Sequence, residues 1–161
     1  MNHLTMEALA ARVGVHPTHV PFPGAAPAIR DLLGGQIDLY FSDPATALPY
    51  LRTGKLKVLL VSTRERLPYL PDVPTVDESG YPGFDMYSWQ GVLAPKGMPP
   101  QVRDTLAAAI RDTLQQPDVN QELRDRGFIP DPGTPEQFRA FFLRSQAELG
   151  EIVHKRNIRI Q

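Results

Sequence analysis

The chain contains no cysteine, which excludes disulfides, thiolate chemistry and cysteine-ligated zinc while leaving the compartment open. It has no excess of either charge: 17 basic and 18 acidic side chains leave a formal net charge of −1. Neither nucleic acid nor an acidic membrane is therefore an expected partner. No apolar run approaches the length of a membrane-spanning helix, and no repeat or low-complexity tract is present. Nucleophile-elbow, Walker-loop, His-Glu-x-x-His and paired-carboxylate patterns are all missing, so no motif supports catalysis. The first residues, Met1 to Val15, lack a long apolar core and a small-residue cleavage site. They read as helix and not as a signal peptide, so the chain as written is expected to carry no export signal.

What the sequence has in quantity is proline, 17 in 161 residues, about twice the average share. The prolines sit mainly at the edges of periodic segments and punctuate short elements. The most informative stretch runs from His19 to Pro49. A short extended run, His19 to Phe22, meets a Pro23-Gly24 turn. A helical stretch follows over about 25–33 and stops at Gly34-Gly35. A second apolar run, Ile37 to Phe41, ends on Ser42-Asp43-Pro44, where another helix begins. Strands joined by helices of this length are parallel neighbours in one sheet, so both strand-to-helix turns would open on the same rim. Helix N-termini there offer unpaired backbone N–H groups and a partial positive charge to an anion.

Around that stretch, apolar spacing predicts a helix over about 3–13, with Asn2 as a candidate cap and Gly14 as its stop. A helix is predicted at about 45–53 and a buried parallel strand at Lys57 to Val61. A proline-rich passage spans Arg66 to Pro74, and Thr75 caps a short turn ending at Gly80. Phe84 to Pro95 reads as one long strand or two. Helices are predicted at Pro100 to Gln115, Pro117 to Arg126 and Pro135 to His154, and a terminal strand at Ile158 to Ile160. On the first of these helices Val102, Leu106, Ala109, Ile110 and Leu114 share one face. The expected class is α/β, a parallel-rich sheet flanked by helices plus a C-terminal helical segment, with a boundary near Pro95 to Pro99.

Several stretches together resemble the Bug family, the periplasmic solute-binding receptors of tripartite tricarboxylate transporters. They are Asn2-His3-Leu4, His19-Val20-Pro21-Phe22 with Gly24, Asp31 to Asp38, Pro71 to Gly80, and Ser88-Trp89-Gln90-Gly91 with Ala94-Pro95. Their order and spacing, over about 150 residues, carry the resemblance. It implies part of a type II periplasmic-binding-protein architecture of two α/β lobes around a cleft. Residues 1–88 would be the later part of lobe two, 89–95 a crossing and 96–161 the helical end of lobe one. The family's N-terminal half would be missing, and with it the export signal. The resemblance also implies a periplasmic setting, against a cytoplasmic one if this chain were the complete product. Membrane transporter subunits would be its partners. Apolar helix faces without their own sheet lead us to expect a homodimer, with exchange of C-terminal helices as one way to form it.

Seven residues are candidates for holding a small carboxylate or amide-type ligand. Gly24 either ends a strand in an ordinary Pro-Gly turn or, lacking a side chain, lets a carboxylate reach the N–H groups of Ala25 and Ala26. Asp43, beside Ser42, is either an N-cap or a ligand group that accepts from an amine or hydroxyl and repels carboxylates. By the resemblance, His3 follows an anion loop and stands beside the ligand carboxylate; without that loop it is an exposed terminal histidine. Trp89 is either packing or a ligand wall, and His19 is structural. Arg64 and Arg66 could face an anion or be solvated surface charge. His3, His16 and His19 have no carboxylate partners at a metal-binding spacing, so no metal or cofactor is expected. A ligand-sensing regulatory domain and a His/Asp-dependent enzyme are the alternative readings.

Overall fold

The computed structural model describes residues 1–155 and residue 158. Among these residues the chain forms six helices: α1 (Asn2–Val13), α2 (Ala25–Leu33), α3 (Pro44–Arg52), α4 (Pro100–Gln115), α5 (Pro117–Asp125) and α6 (Pro135–Lys155). Each lies within two residues of the span that apolar spacing predicts. The proposed terminal strand at Ile158 to Ile160 falls largely outside the described residues. None of the described helices is long and apolar enough to cross a membrane.

The expected α/β class is overturned. Among the described residues no β-strand forms, and the only β pairing is an isolated parallel bridge between Val61 and Thr75. The hydrogen bonds explain why pairing stops there. Val61 donates to the Pro74 carbonyl at 3.0 Å and accepts from Val76 N–H at 3.0 Å, but Pro74 has no N–H with which to extend a ladder. The runs read as strands two and three lack the burial of a sheet interior: Leu39 and Leu59 are each 57% exposed, whereas a parallel sheet buries both faces. The stretch Phe84 to Pro95 is likewise not a strand. Met86 N–H donates to the Ser62 carbonyl at 2.8 Å, and Asp85 Oδ1 accepts from Arg64 N–H at 3.0 Å.

The chain divides into two bodies, Met1–Ser88 and Trp89–Lys155. In the first, α1 ends at Gly14, whose φ of 77° places it in the left-handed region where glycine carries no Cβ penalty. Helices α2 and α3 pack on one another. The buried apolar side chains of the described residues all belong to this body: Ala10, Ala28, Ile29, Leu48, Val61, Leu67, Val76 and Phe84. The turn after the proline-rich passage is held by a capping box. Thr75 Oγ1 accepts from Glu78 N–H at 3.0 Å, and Glu78 Oε2 accepts from Thr75 N–H at 2.9 Å. Arg66 Nε clamps the same carboxylate at 2.9 Å and its guanidinium also reaches the Pro71 carbonyl.

In the second body α4 and α5 pack together and meet at Gln116, whose extended ψ of 129° is what a following proline imposes. A second capping box starts α6: Thr134 N–H donates to Gln137 Oε1 at 2.7 Å and Gln137 N–H to Thr134 Oγ1 at 3.2 Å. Phe138, Phe141 and Phe142, three and four positions apart on one helical face, surround Trp89 edge-on with ring centroids 5.5–5.7 Å away.

Candidate functional site

The corner at α2 is built by backbone geometry. Gly24 precedes the helix with a φ of 151°, an angle that side-chain-bearing residues rarely adopt. A Cβ there would meet nothing within 4 Å, so the corner is open and glycine is required by conformation alone. No side chain caps α2. The first N–H groups of a helix have no intrahelical partner, and Pro27 has none to offer, so Ala25 and Ala26 present the unpaired donors. Ala26 is exposed and Ala25 half-buried.

At α3, Asp43 occupies the N-cap position with an extended ψ of 137°, yet its carboxylate makes no cap bond. The bonds around it come from hydroxyls. The Ser42 and Thr46 hydroxyls lie 2.8 Å apart and 3.1 and 2.8 Å from the Asp43 carbonyl, which accepts; with one proton each they make two of these three hydrogen bonds at a time. Thus the Asp43 side chain stays exposed at the start of a helix whose partial charge favours an anion.

The start of α1 connects these corners. Asn2 does not cap α1; Met1 stands at the cap position. The Asn2 amide instead donates to the Tyr40 hydroxyl at 3.2 Å. His3 stacks on His19 with ring centroids 3.7 Å apart and planes 10° from parallel, and its Nε2 lies 3.7 Å from a Glu7 carboxylate oxygen. Tyr40 precedes Asp43 by three residues and His19 precedes Gly24 by five, at most about 10 and 17 Å of extended chain. The first turn of α1 is therefore tied to the lead-ins of both α2 and α3. His19 has its pKa pushed below the ordinary histidine value, first by loss of water around the ring and then by His3, against a raising influence from Glu7.

Trp89 stands apart from these groups in sequence and belongs to the second body, where three phenylalanines take up its ring. Arg66 is committed to Glu78 and the Pro71 carbonyl. Among the described residues no group of three or more His, Asp or Glu side chains could hold a metal. Sequence reading missed Asn2 as a tie, Tyr40 and Thr46. Thr46 carried a local signal, four residues after Ser42 and three after Asp43; the Asn2–Tyr40 contact spans 38 residues and carried none.

Comparison with known proteins decides the family. Residues 1–158 match the sequence family described as tripartite tricarboxylate transporter family receptor, TctC. The chain belongs to the tripartite tricarboxylate transporter receptor family. This TctC-family chain is 37% identical over 141 residues to the UPF0065 protein of the tcbD-tcbE intergenic region of a Pseudomonas species, a match covering 87% of this chain and 42% of that protein. Among solved structures it is similar to Rpa4515 of R. palustris with adipate, at 31% identity and a TM-score of 0.86, over 95% of this chain and 51% of the other. It is also similar to MatC of Rhodopseudomonas palustris with bound malate, at 34% identity and a TM-score of 0.82, over 95% of this chain and 53% of the other. The chain thus spans about half the length of each of these three relatives. The family is one of transporter receptors, and BugD, 34% identical over 99% of this chain with a TM-score of 0.83, is a periplasmic binding protein.

Proposed function

We propose that this chain is a solute-binding component for small carboxylates, and that the guest's carboxylate sits at the start of α2 against the amides of Ala25 and Ala26, with Gly24 leaving the approach open. Ser42 and Asp43 at the start of α3 orient a hydroxyl, amine or amide elsewhere on the guest, and His3 lines the first turn of α1. Asp43 sets the guest's orientation, because a second carboxylate is repelled by it and points away from the start of α3. The observation that carries the reading is the likeness, above 30% identity across nearly the whole chain, to receptors solved with adipate and with malate. The open, uncapped starts of α2 and α3 supply the chemistry such guests need. In the two-lobed arrangement that the resemblance implies, corners of this kind would face a cleft. Closure on the guest would be the signal passed to membrane transporter subunits.

The test is calorimetric titration and thermal shift with malate, adipate, an uncharged diamide and acetate. Malate or adipate should raise the melting temperature saturably, since a guest at 100 times its Kd adds about 2.7 kcal/mol of stability. The diamide should compete weakly and acetate hardly at all. No heat and no shift with any of them at millimolar concentration would sink the reading.

A further inference from the structure

The His3–His19 stack joins two titratable groups at a strategic place. His3 belongs to the first turn of α1, and His19 to the segment that runs through Phe22 and Pro23 to Gly24, the residue before α2. The stack is therefore a clasp between the start of one helix and the lead-in to another. Two imidazoles stack readily when at most one is charged. Two imidazolium rings held at the observed 3.7 Å repel strongly enough to shift an equilibrium roughly sixfold even in water. The titratable groups acting on His19 both come from α1: His3, which opposes its protonation, and Glu7, which favours it. Partial loss of water is the largest influence, and the net direction is downward from 6.5. A histidine with a depressed folded pKa contributes stability that is present above its unfolded pKa and lost as pH falls through the folded one. The clasp is thus fully made near neutrality and weakens under acid.

We infer that His19 is a positioning residue: stacked on His3, it sets where the Gly24–Ala25–Ala26 corner stands relative to α1, and it releases that corner on acidification. As a statement about binding this rests on the carboxylate reading above. As a statement about geometry it rests on the stack. It also runs against the simple electrostatic expectation, because a lone imidazolium touching a carboxylate would bind it more tightly in acid, whereas a clasp that opens binds it less tightly.

The experiment is an NMR titration of the unliganded protein from pH 8 to pH 5, following the Cε1 protons of His3 and His19 and the backbone amides of Ala25 and Ala26. His19 should titrate below its ordinary value. The two amides should shift with the same midpoint, and the ring-to-ring nuclear Overhauser effect should vanish below it. In His3→Phe, which keeps a ring and removes its charge, the His19 midpoint should move up; in His19→Phe the amide response should disappear. Titration of His19 at its ordinary value in the wild type, or Ala25 and Ala26 amides that stay still while His19 titrates, would overturn the inference. With no ligand present, failure here leaves the carboxylate reading standing, and absence of carboxylate binding leaves this titration standing.

Discussion

Gly91 is a position in the second body where one added methyl group should be felt. Its φ is not positive, so the backbone itself accepts alanine and the objection is space. A Cβ would run into Cζ of Phe138 and lie 2.8 and 3.0 Å from Cε2 and Cε1, well inside ordinary contact. Swinging the ring aside would disturb its edge-on contact with Trp89 at 5.5 Å and its stack against Phe141 at 6.5 Å. Overpacking of this kind costs about 1–3 kcal/mol, while replacing glycine narrows the unfolded ensemble and returns about 0.4–1 kcal/mol. Gly91→Ala should therefore destabilise by about 1–2 kcal/mol. Trp89 is the only tryptophan and sits in the affected cluster, so urea unfolding followed by its fluorescence reads the change directly. In a Phe138→Leu background the same substitution should become neutral or stabilising, a coupling of about 1 kcal/mol or more. Simple additivity of the two changes would refute the packing argument.

The other predictions concern the first capping box and the outward face of α4. Thr75→Ala should cost about 1 kcal/mol in denaturant unfolding, as loss of a cap does. The Glu78 pKa is lowered by the Thr75 backbone N–H first and by Arg66 second. Its contribution is therefore present above the ordinary glutamate value and lost as pH falls through the lowered one. Comparing unfolding midpoints at pH 7 and pH 3, wild type should lose more than Glu78→Gln; equal losses would contradict this. On α4, Val102, Leu106 and Ile110 are 47, 48 and 39% exposed. Light scattering should therefore find a homodimer of about twice the 17.9 kDa chain mass, which Leu106→Glu reduces to a monomer; a wild-type monomer would contradict it.

That α4 stripe also shows where sequence reasoning stops. Periodicity correctly places Val102, Leu106 and Ile110 on one face, yet it says which residues share a face and not what covers that face. The helices were legible because their signals are local: glycine at positions 14, 34 and 54, proline at 44, 100, 117 and 135, and apolar residues at helical spacing between them. The sheet was misread for the complementary reason. Ile37 to Phe41 and Lys57 to Val61 have the composition of strands, but a strand exists only with a partner in register, and the partner of Val61 carries a proline where the ladder would continue. At the candidate site, the corners at Gly24 and Asp43 were proposed from turn chemistry alone. The ties that gather them, Asn2 to Tyr40 and His3 to His19, join residues distant in sequence and have no short-range signature. The family was legible because its short motifs recur in fixed order along the chain.

The most direct test of the central claim is an amide-resolved NMR titration with malate at constant neutral pH. A carboxylate held by helix N-termini should shift the Ala25 and Ala26 amides downfield in a saturable way, with the Ala45 amide at the start of α3 following at the same midpoint and α5 unmoved. Shifts confined to other segments, or no saturable shift at Ala25 and Ala26 while malate binds by calorimetry, would place the guest elsewhere and contradict the account.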